Sequence, residues 1–203
     1  MKEHYYDQLL GIQTQGDRME GPAPKPFRYY PYEPTPYGAL EVLFENYEVT
    51  RTDRVVDFGC GKGRLVFYIH YFFHASAAGI EMNEILYRKA LDNREAYARK
   101  TKNHLQRLQF YCCLAEEYKI DPMDNRFYFF NPFSIQVFRS IINNVLNSVE
   151  ECERSAELIL YYPSEDYIFY LGNDSPFELK KEIVLPHEYL RDANERFLIY
   201  RLG

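Results

Sequence analysis

Three glycines at alternate positions follow a short apolar stretch of this chain. The stretch from Arg54 to Phe58 has the apolar pattern of a buried strand, and Gly59, Gly61 and Gly63 come directly after it. Glycine allows a sharp turn and close approach of a ligand, because it carries no Cβ atom. A helical pattern begins behind the last glycine. A strand, a glycine turn and a helix in this order are typical of a nucleotide-binding site.

Two carboxylates indicate which ligand suits this turn. Asp57 lies two residues before the first glycine, and we expect its side chain to point into the same crevice. A carboxylate there repels a pyrophosphate and favours a ligand with an ammonium group. Glu81 ends the second predicted strand, where its oxygens can accept hydrogen bonds from both ribose hydroxyls. S-adenosylmethionine (SAM) carries an ammonium, a sulfonium and a ribose but no phosphate, so it fits both acids.

The spacing of the glycines disfavours other nucleotides. A dinucleotide fingerprint, G-x-G-x-x-G, needs its third glycine at position 64, where this chain has Arg64. A phosphate-binding P-loop also fails, because no Lys-Ser/Thr pair follows the glycines. A nicotinamide-dependent oxidoreductase is therefore the weaker alternative.

Over residues 36–203, the chain resembles the class I SAM-dependent methyltransferase family. The aspartate and the three glycines correspond to the first motif of that family, and Glu81 corresponds to its ribose-binding acid. The resemblance implies that SAM lies across the carboxyl ends of the first two strands. The residues expected to bind it in and beside the turn are Asp57, Gly59, Cys60, Gly61, Gly63, Glu81 and Met82.

Two further segments complete the cofactor site that the resemblance implies. Before the first helix of the SAM-binding part, Thr35 and Tyr37 suggest a lid whose hydroxyls can hydrogen-bond the SAM carboxylate. Thr35 is also expected to cap this helix, with Pro36 at its first position. Family members often have an acid after the third strand for the adenine amino group, whereas this chain has Leu114. Backbone groups near Leu114 and Ala115 are expected to contact the adenine edge instead.

The end of the fourth predicted strand bears on the chemistry. Phe130-Asn131-Pro132-Phe133 resembles the Asn/Asp-Pro-Pro-aromatic motif of amino methyltransferases, one proline short. The resemblance implies that the Asn131 side chain and the Pro132 carbonyl hold the acceptor nitrogen while the Phe133 ring stacks on the acceptor. Asn131 also borders the cofactor in this interpretation. Methyl transfer is an in-line displacement in which the enzyme mainly positions two reactants. The alternative is that Asn131 and Pro132 only end a strand.

The order of elements predicts the fold. Helices are expected over residues 36–47, 63–74, 84–102 and 133–151, with a mixed link over 164–176. Strands are expected over residues 54–58, 77–81, 108–113, 126–130, 157–162, 177–185 and 194–202. This alternation predicts an α/β fold with a single doubly wound, mostly parallel seven-stranded sheet and helices on both faces. The last two strands predict an antiparallel C-terminal hairpin.

The first 35 residues differ from the rest of the chain. Prolines and glycines interrupt them, and tyrosines are scattered among them, so they predict an arm or lid that precedes a SAM-binding domain over residues 36–203. A short helix is expected over residues 3–10. A poorly ordered arm and a flap over the site both remain open.

Composition limits the partners and the compartment. The net charge is −6 and the pI is about 5.5, so the molecule as a whole does not attract nucleic acid. A basic stretch in the helix over residues 84–102 leaves RNA possible, but a solvated face paired through Glu95 and Arg99 is favoured. The four cysteines form no Cys-x-x-Cys pair, and no signal peptide or membrane segment is evident. We therefore expect a cytoplasmic protein without a metal.

Together these features predict a SAM-dependent methyltransferase that acts on a nitrogen of a small molecule or a protein side chain. A non-catalytic SAM-binding regulatory or interaction protein and an RNA methyltransferase are the alternatives.

Overall fold

The computed structural model of the chain describes residues 2–16, 32–102 and 105–202. Within these ranges the helices are α1 (Lys2–Leu10), α2 (Tyr37–Asn46), α3 (Arg64–Phe73), α4 (Glu84–Thr101), α5 (Ile135–Glu151) and α6 (Glu165–Asn173). The strands are β1 (Arg54–Phe58), β2 (Ser76–Ile80), β3 (Leu108–Tyr111), β4 (Arg126–Phe129), β5 (Ala156–Tyr161), β6 (Glu178–Val184) and β7 (Arg196–Leu202). Short 3₁₀ turns span Leu105–Arg107 and Ala115–Glu117. None of the described helices is both long and apolar enough to cross a membrane.

The seven strands form one sheet in the order β3-β2-β1-β4-β5-β7-β6. Strands β1 to β5 pair in parallel, whereas β7 runs antiparallel to both β5 and β6. The predicted doubly wound sheet with an antiparallel C-terminal hairpin is therefore confirmed. The order reverses between β1 and β4, and in such sheets a ligand site forms outside the carboxyl ends of the strands at that point.

Helices cover both faces of the sheet and bury two apolar clusters. One cluster contains Val55 and Tyr128 from the strands together with residues of α1 to α4. The other contains Val56 and Phe127 together with residues of α5 and α6. Because side chains alternate between faces along a strand, Asp57 lies on the same face as Val55, below α2 and α3.

Two local predictions were wrong. The expected mixed link over 164–176 contains helix α6, whose N-terminal Ser164 accepts a hydrogen bond from the Tyr167 backbone N–H. Buried Tyr167, Tyr170 and Leu171 at helical spacing dock this helix on the core. The expected cap at Thr35 is also absent: Pro36 is the N-cap of α2, and the Thr35 hydroxyl bonds with the Tyr128 hydroxyl instead.

Helix α1 packs across α2 and α3, close to where the expected helix over residues 3–10 lies. The Tyr6 ring stacks on Tyr37 with ring centroids 4.7 Å apart and lies 5.8 Å from Tyr68. The Tyr6 hydroxyl donates to the Glu41 carboxylate at 2.6 Å. The start of the predicted arm is thus ordered against the body, while residues 17–31 of that arm lie outside the described residues.

The amino ends of the central strands are joined by a buried charged network. The Glu157 carboxylate accepts hydrogen bonds from Tyr47 at 2.7 Å and Lys180 at 2.6 Å, and Arg126 lies 3.9 Å away. Burial alone would raise the pKa of Glu157, but these donors and the Arg126 charge together lower it. The network ties β4 and β5 to α2 and β6, so it fixes the sheet that positions the opposite, carboxyl edge.

Replacing Glu157 with glutamine should therefore lower the free energy of unfolding by about 1–3 kcal/mol at pH 7. The lowered pKa means that the ionised form stabilises the fold above the ordinary value of 4.5, and that this contribution is lost as the pH falls below it. Urea unfolding of Glu157→Gln and wild type at pH 7 and pH 4 measures the difference, which should shrink at the lower pH. The exposed Glu153→Gln is the matched control; an equal loss of stability in both variants would contradict the assignment.

Candidate active site

The carboxyl ends of β1 and β4 bring two of the predicted motifs into contact. A Cβ atom placed on Gly59 would lie 3.0 Å from the Pro132 Cβ and 3.8 Å from the Phe133 ring. The glycine turn after β1 and the Asn131-Pro132-Phe133 segment after β4 are therefore adjacent walls of one crevice. The predicted cofactor and acceptor residues come together at this edge, as expected for neighbouring parallel strands.

The glycine turn is held in shape by Glu81. Gly59, Gly61 and Gly63 have φ values of 83°, 54° and 87°, a region that side chains other than glycine rarely adopt. Glu81 accepts a hydrogen bond from the Gly61 backbone N–H at 2.9 Å with one carboxylate oxygen, and from the Asn83 N–H at 2.8 Å with the other. The end of β2 thus fixes the turn that follows β1.

The two acids of the crevice are both buried, with relative exposures of 6% for Asp57 and 7% for Glu81. Burial and, secondarily, the charge of Glu81 raise the pKa of Asp57 to about 8. Burial also raises the pKa of Glu81, against the backbone N–H groups of Asn83 and Gly61, which lower it. No hydrogen bond from the described residues reaches the Asp57 carboxylate. A cation in the crevice would be attracted to this pair of carboxylates and would favour their ionised forms.

The segment after β4 presents polar atoms that other described residues leave unbonded. Asn131 has a φ of 40°, and its buried Oδ1 accepts no hydrogen bond from the described part of the chain. The buried hydroxyl of Ser134 is likewise unbonded there. Phe133 is 3% exposed. The Tyr167 hydroxyl accepts a hydrogen bond from the Phe133 backbone N–H and donates one to the Phe133 carbonyl. Asn131 Oδ1 is thus an acceptor that the described residues leave unbonded, two residues before the backbone that Tyr167 holds.

The hydroxyls of the predicted lid residues Thr35 and Tyr37 are both bonded to other side chains. The Thr35 hydroxyl bonds with Tyr128 at 2.6 Å, and its carbonyl accepts from Arg64 at 2.9 Å. Tyr37 is fully buried, and its hydroxyl donates to the Asp7 carboxylate at 2.7 Å. Thr35 therefore borders the crevice beside Tyr128, whereas the Tyr37 hydroxyl is directed to α1.

The residues predicted to surround the rest of the cofactor lie around the ends of β2 and β3. The Glu81 backbone N–H donates to the Tyr111 carbonyl, so the end of β3 is next to Glu81, the acid expected to bind the ribose. Ala115 is buried at the start of a 3₁₀ turn, with the half-buried Leu114 before it, and Met82 is 36% exposed. The Cys60 thiol is buried and packs on β2 at Gly79, because a Cβ there would come within 2.6 Å of its sulfur.

Three residues that were not among the predicted site residues meet at the turn. The Tyr32 ring lies directly over Gly61, since a Cβ atom there would come within 2.0 Å of it. The ammonium of Lys62 lies 5.5 Å from the centre of that ring and donates to the carbonyls of Gln15 and Gly16. Arg64 is buried beside Thr35 and Tyr37. The only signal in the sequence was the presence of two cations beside the third glycine.

The basic stretch on α4 is partly neutralised within the helix. Arg88 pairs with Glu84 at 2.5 Å and Arg99 with Glu95 at 3.6 Å, each at i,i+4 spacing. These exposed pairs fit the expected solvated helix face.

Comparison with solved structures identifies the fold. An RNA methyltransferase from Salinibacter ruber, in complex with S-adenosyl-L-homocysteine, aligns with 83% of this chain and 92% of its own at a TM-score of 0.53 and 19% identity. A geranyl diphosphate C-methyltransferase from Streptomyces coelicolor aligns with 81% of this chain and 77% of its own at a TM-score of 0.55 and 10% identity. The fold is that of the class I SAM-dependent methyltransferases. Its predicted sheet and reversed hairpin are the features that this chain shares with them.

At the level of sequence the matches to this methyltransferase fold are short. The chain matches none of the known protein-family profiles. A protein-lysine N-methyltransferase from Saccharolobus islandicus is 37% identical over 68 residues, which are 33% of this chain and 42% of that relative. The match thus spans less than half the length of the curated relative.

The contact between Tyr32 and Gly61 predicts a specific cost of adding a side chain. Gly61→Ala should destabilise the fold and weaken ligand binding, because its Cβ collides with the Tyr32 ring and its φ is positive. The collision is relieved in a Tyr32→Ala background, so the two substitutions should be non-additive in thermal unfolding. Gly172→Ala is the control, since nothing lies within 4 Å of that position in α6 and its stability should be equal or higher. Additive losses would contradict the contact.

Proposed function

We propose that this protein is a SAM-dependent methyltransferase that transfers a methyl group to a nitrogen of a small molecule or a protein side chain. The observation that supports it best is the pair of buried carboxylates, Asp57 and Glu81, on either side of a left-handed glycine turn in this fold. The solved structure from Salinibacter ruber binds S-adenosyl-L-homocysteine, the product of such a transfer.

The residues of the crevice fit SAM in three respects. The Asp57 carboxylate suits the ammonium group, because it is buried, receives no hydrogen bond from the described residues and would be stabilised by a cation. The oxygens of Glu81 suit the ribose hydroxyls, and both remain acceptors while they hold the turn. The glycines hold the turn between the two acids in a left-handed conformation. Leu114, Ala115 and Met82 would then border the adenine.

When bound, SAM supplies a methyl group on a sulfonium, which is already activated for displacement. The protein therefore has to orient the acceptor rather than to provide a strong base. Asn131 Oδ1 can accept a hydrogen bond from an amine N–H and so direct the nitrogen lone pair. The Pro132 carbonyl is the second expected acceptor, and the Phe133 ring, which packs in the apolar cluster of α5 and α6, is the ring expected to stack on the acceptor. Tyr167 holds this segment in place.

A nitrogen acceptor also agrees with the relative from Saccharolobus islandicus, which is named for lysine N-methylation. We further propose that the N-terminal arm, residues 1–35, acts as a lid on a SAM-binding domain over residues 36–203. A cytoplasmic location agrees with cysteine spacing that suits neither a disulfide framework nor a zinc site.

Binding of SAM should depend on the ionisation of Asp57. Because its pKa is about 8, the affinity measured by isothermal titration should rise between pH 6.5 and pH 8, by up to about tenfold per pH unit. Asp57→Asn should bind SAM at least about tenfold more weakly and without this additional slope. It should also melt at a higher temperature at pH 8, since a folded-state pKa above the unfolded value makes the wild type less stable as the pH rises from about 4 to 8.

The exposed Asp92→Asn on α4 is the matched control and should keep both the affinity and its pH dependence. If wild type bound neither SAM nor S-adenosylhomocysteine at millimolar concentration, the proposed methyltransferase function would be wrong. If the affinity of Asp57→Asn had the same pH dependence as wild type, Asp57 would not be a SAM-binding residue, although SAM would still be the cofactor.

Asn131→Ala should separate cofactor binding from methyl transfer. We expect the transfer rate to fall about 100-fold, because the acceptor loses its orienting oxygen, while SAM affinity changes by less than about threefold. The measurement is release of the methyl group from labelled SAM to protein and small-molecule fractions of a cell extract. Asn143→Ala, on the exposed face of α5, is the control. Equal rates in both variants would count against the acceptor site.

The same assay tests the two alternatives. SAM binding without transfer to any fraction would indicate a regulatory or interaction protein. Transfer to the RNA fraction that weakens steeply with salt would indicate an RNA methyltransferase, since phosphate contacts release counterions.

A further inference from the structure

Arg64 is a buried cation with incomplete hydrogen bonding. It begins α3 directly after the third glycine, and its side chain is 4% exposed. Its guanidinium lies 4.3 Å from the centre of the Tyr37 ring. A guanidinium at such depth is costly to bury unless its N–H groups are bonded, and the ring face satisfies none of them directly.

Its donors can be accounted for one nitrogen at a time. Nε donates to the Thr14 hydroxyl at 2.8 Å. Nη1 donates to the Thr35 carbonyl at 2.9 Å and to the Glu3 carboxylate. Nη2 is buried and reaches no acceptor within residues 2–16, 32–102 and 105–202. Two N–H groups of a charged fork are therefore available at a place that water does not reach.

The position of Arg64 relates it to the acid of the crevice. Arg64 bonds the Thr35 carbonyl, and the Thr35 hydroxyl bonds Tyr128. Tyr128 is the register partner of Asp57 on the neighbouring strand, so both side chains lie on the same face of the sheet. The charge of Asp57 also contributes to raising the pKa of Tyr128, after burial and against the Thr35 hydrogen bond. These contacts thus link the Arg64 guanidinium, through Thr35 and Tyr128, to the strand that pairs with Asp57.

We infer that Arg64 binds the carboxylate at the methionine end of the cofactor while Asp57 binds the ammonium beside it. This inference rests on the proposed function and adds a binding residue to it. An amino acid group is a zwitterion. The described residues leave unbonded both the Asp57 carboxylate and Nη2 of Arg64, although Nη1 pairs with Glu3. The planar fork of arginine suits a carboxylate better than a point charge does, because it can donate two parallel hydrogen bonds.

The assignment also gives the N-terminal helix a role in binding. Glu3 on α1 accepts a hydrogen bond from the Arg64 guanidinium with one carboxylate oxygen and from the Tyr37 backbone N–H, at 2.9 Å, with the other. Asp7 accepts from the Thr14 N–H and hydroxyl and from the Tyr37 hydroxyl. These contacts hold the guanidinium in one orientation before the ligand arrives, so little rotamer entropy is lost on binding.

The test compares SAM with decarboxylated SAM, which lacks only the carboxylate, by isothermal titration of the full chain. Wild type should bind SAM about 10- to 100-fold more tightly than the decarboxylated compound. Arg64→Met should bind the two within about threefold of each other, and Arg64→Lys should show an intermediate ratio, because a lysine keeps the charge but loses the fork. Arg88→Met, on the exposed face of α4, should keep the wild-type ratio.

The ratio is measured within each protein, so a general loss of stability does not imitate the effect. If Arg64→Met fails to fold by circular dichroism, the ratio in Arg64→Lys decides. An equal affinity of wild type for both compounds, or a full wild-type ratio in the folded Arg64 variant, would overturn the assignment. Failure of wild type to bind either compound would instead overturn the proposed function.

Discussion

The hydrogen bond from the Gly61 backbone N–H to the Glu81 carboxylate is the contact on which the crevice depends. It joins the turn after β1 to the end of β2 across 20 residues of chain. Without it, a turn with three left-handed glycines at alternate positions would have many accessible conformations and would not present one surface. With it, the turn and Glu81 are fixed relative to each other at the point where the strand order reverses. The same carboxylate thus serves as a structural acceptor and as the expected contact for a ribose.

Charge is distributed unevenly around this turn. On the sheet side, Asp57 and Glu81 are buried with no described cation against them, which raises the pKa of both. On the side of the N-terminal helix, Arg64 and Lys62 are held by carbonyls, hydroxyls and one carboxylate. Burying Asp57 and Glu81 without a described cation costs folding free energy, because each carboxylate is desolvated without an opposite charge. A ligand with a positively charged group beside these carboxylates would offset part of that cost on binding.

The sequence predicted the parts of the site that depend on local pattern. Alternating strands and helices, together with the position of Asp57 and Glu81 at strand ends, were enough for the sheet, its reversed hairpin and the glycine turn, because these follow from periodicity and from the chirality of crossovers. Helix α6 was missed although Ser164 and the spacing of Tyr167, Tyr170 and Leu171 indicated it. The expectation of a mixed link over 164–176 leaves this spacing unused.

What the sequence did not predict depends on contacts between distant residues. In the sequence, Arg64 only argues against a dinucleotide fingerprint, because it stands where that motif needs a glycine. Its partners Glu3, Thr14 and Thr35 lie 29 to 61 residues away. The Thr35 hydroxyl could bond its own helix or Tyr128, and only the packing of α2 on the sheet decides for Tyr128. Local propensity contains no information about such a choice, because both partners satisfy the hydroxyl equally well.

Tyr167 has a consequence for how this site can diversify. Its hydroxyl holds both the N–H and the carbonyl of Phe133, yet it belongs to α6, which follows β5 and contains none of the predicted site residues. Exchanges among the residues that seat α6, such as its stacking partner Phe138, would shift the segment that contains Asn131 without changing any residue of that segment. Related chains with identical residues in the crevice need not share an acceptor, and their differences would then be found along α5 and α6.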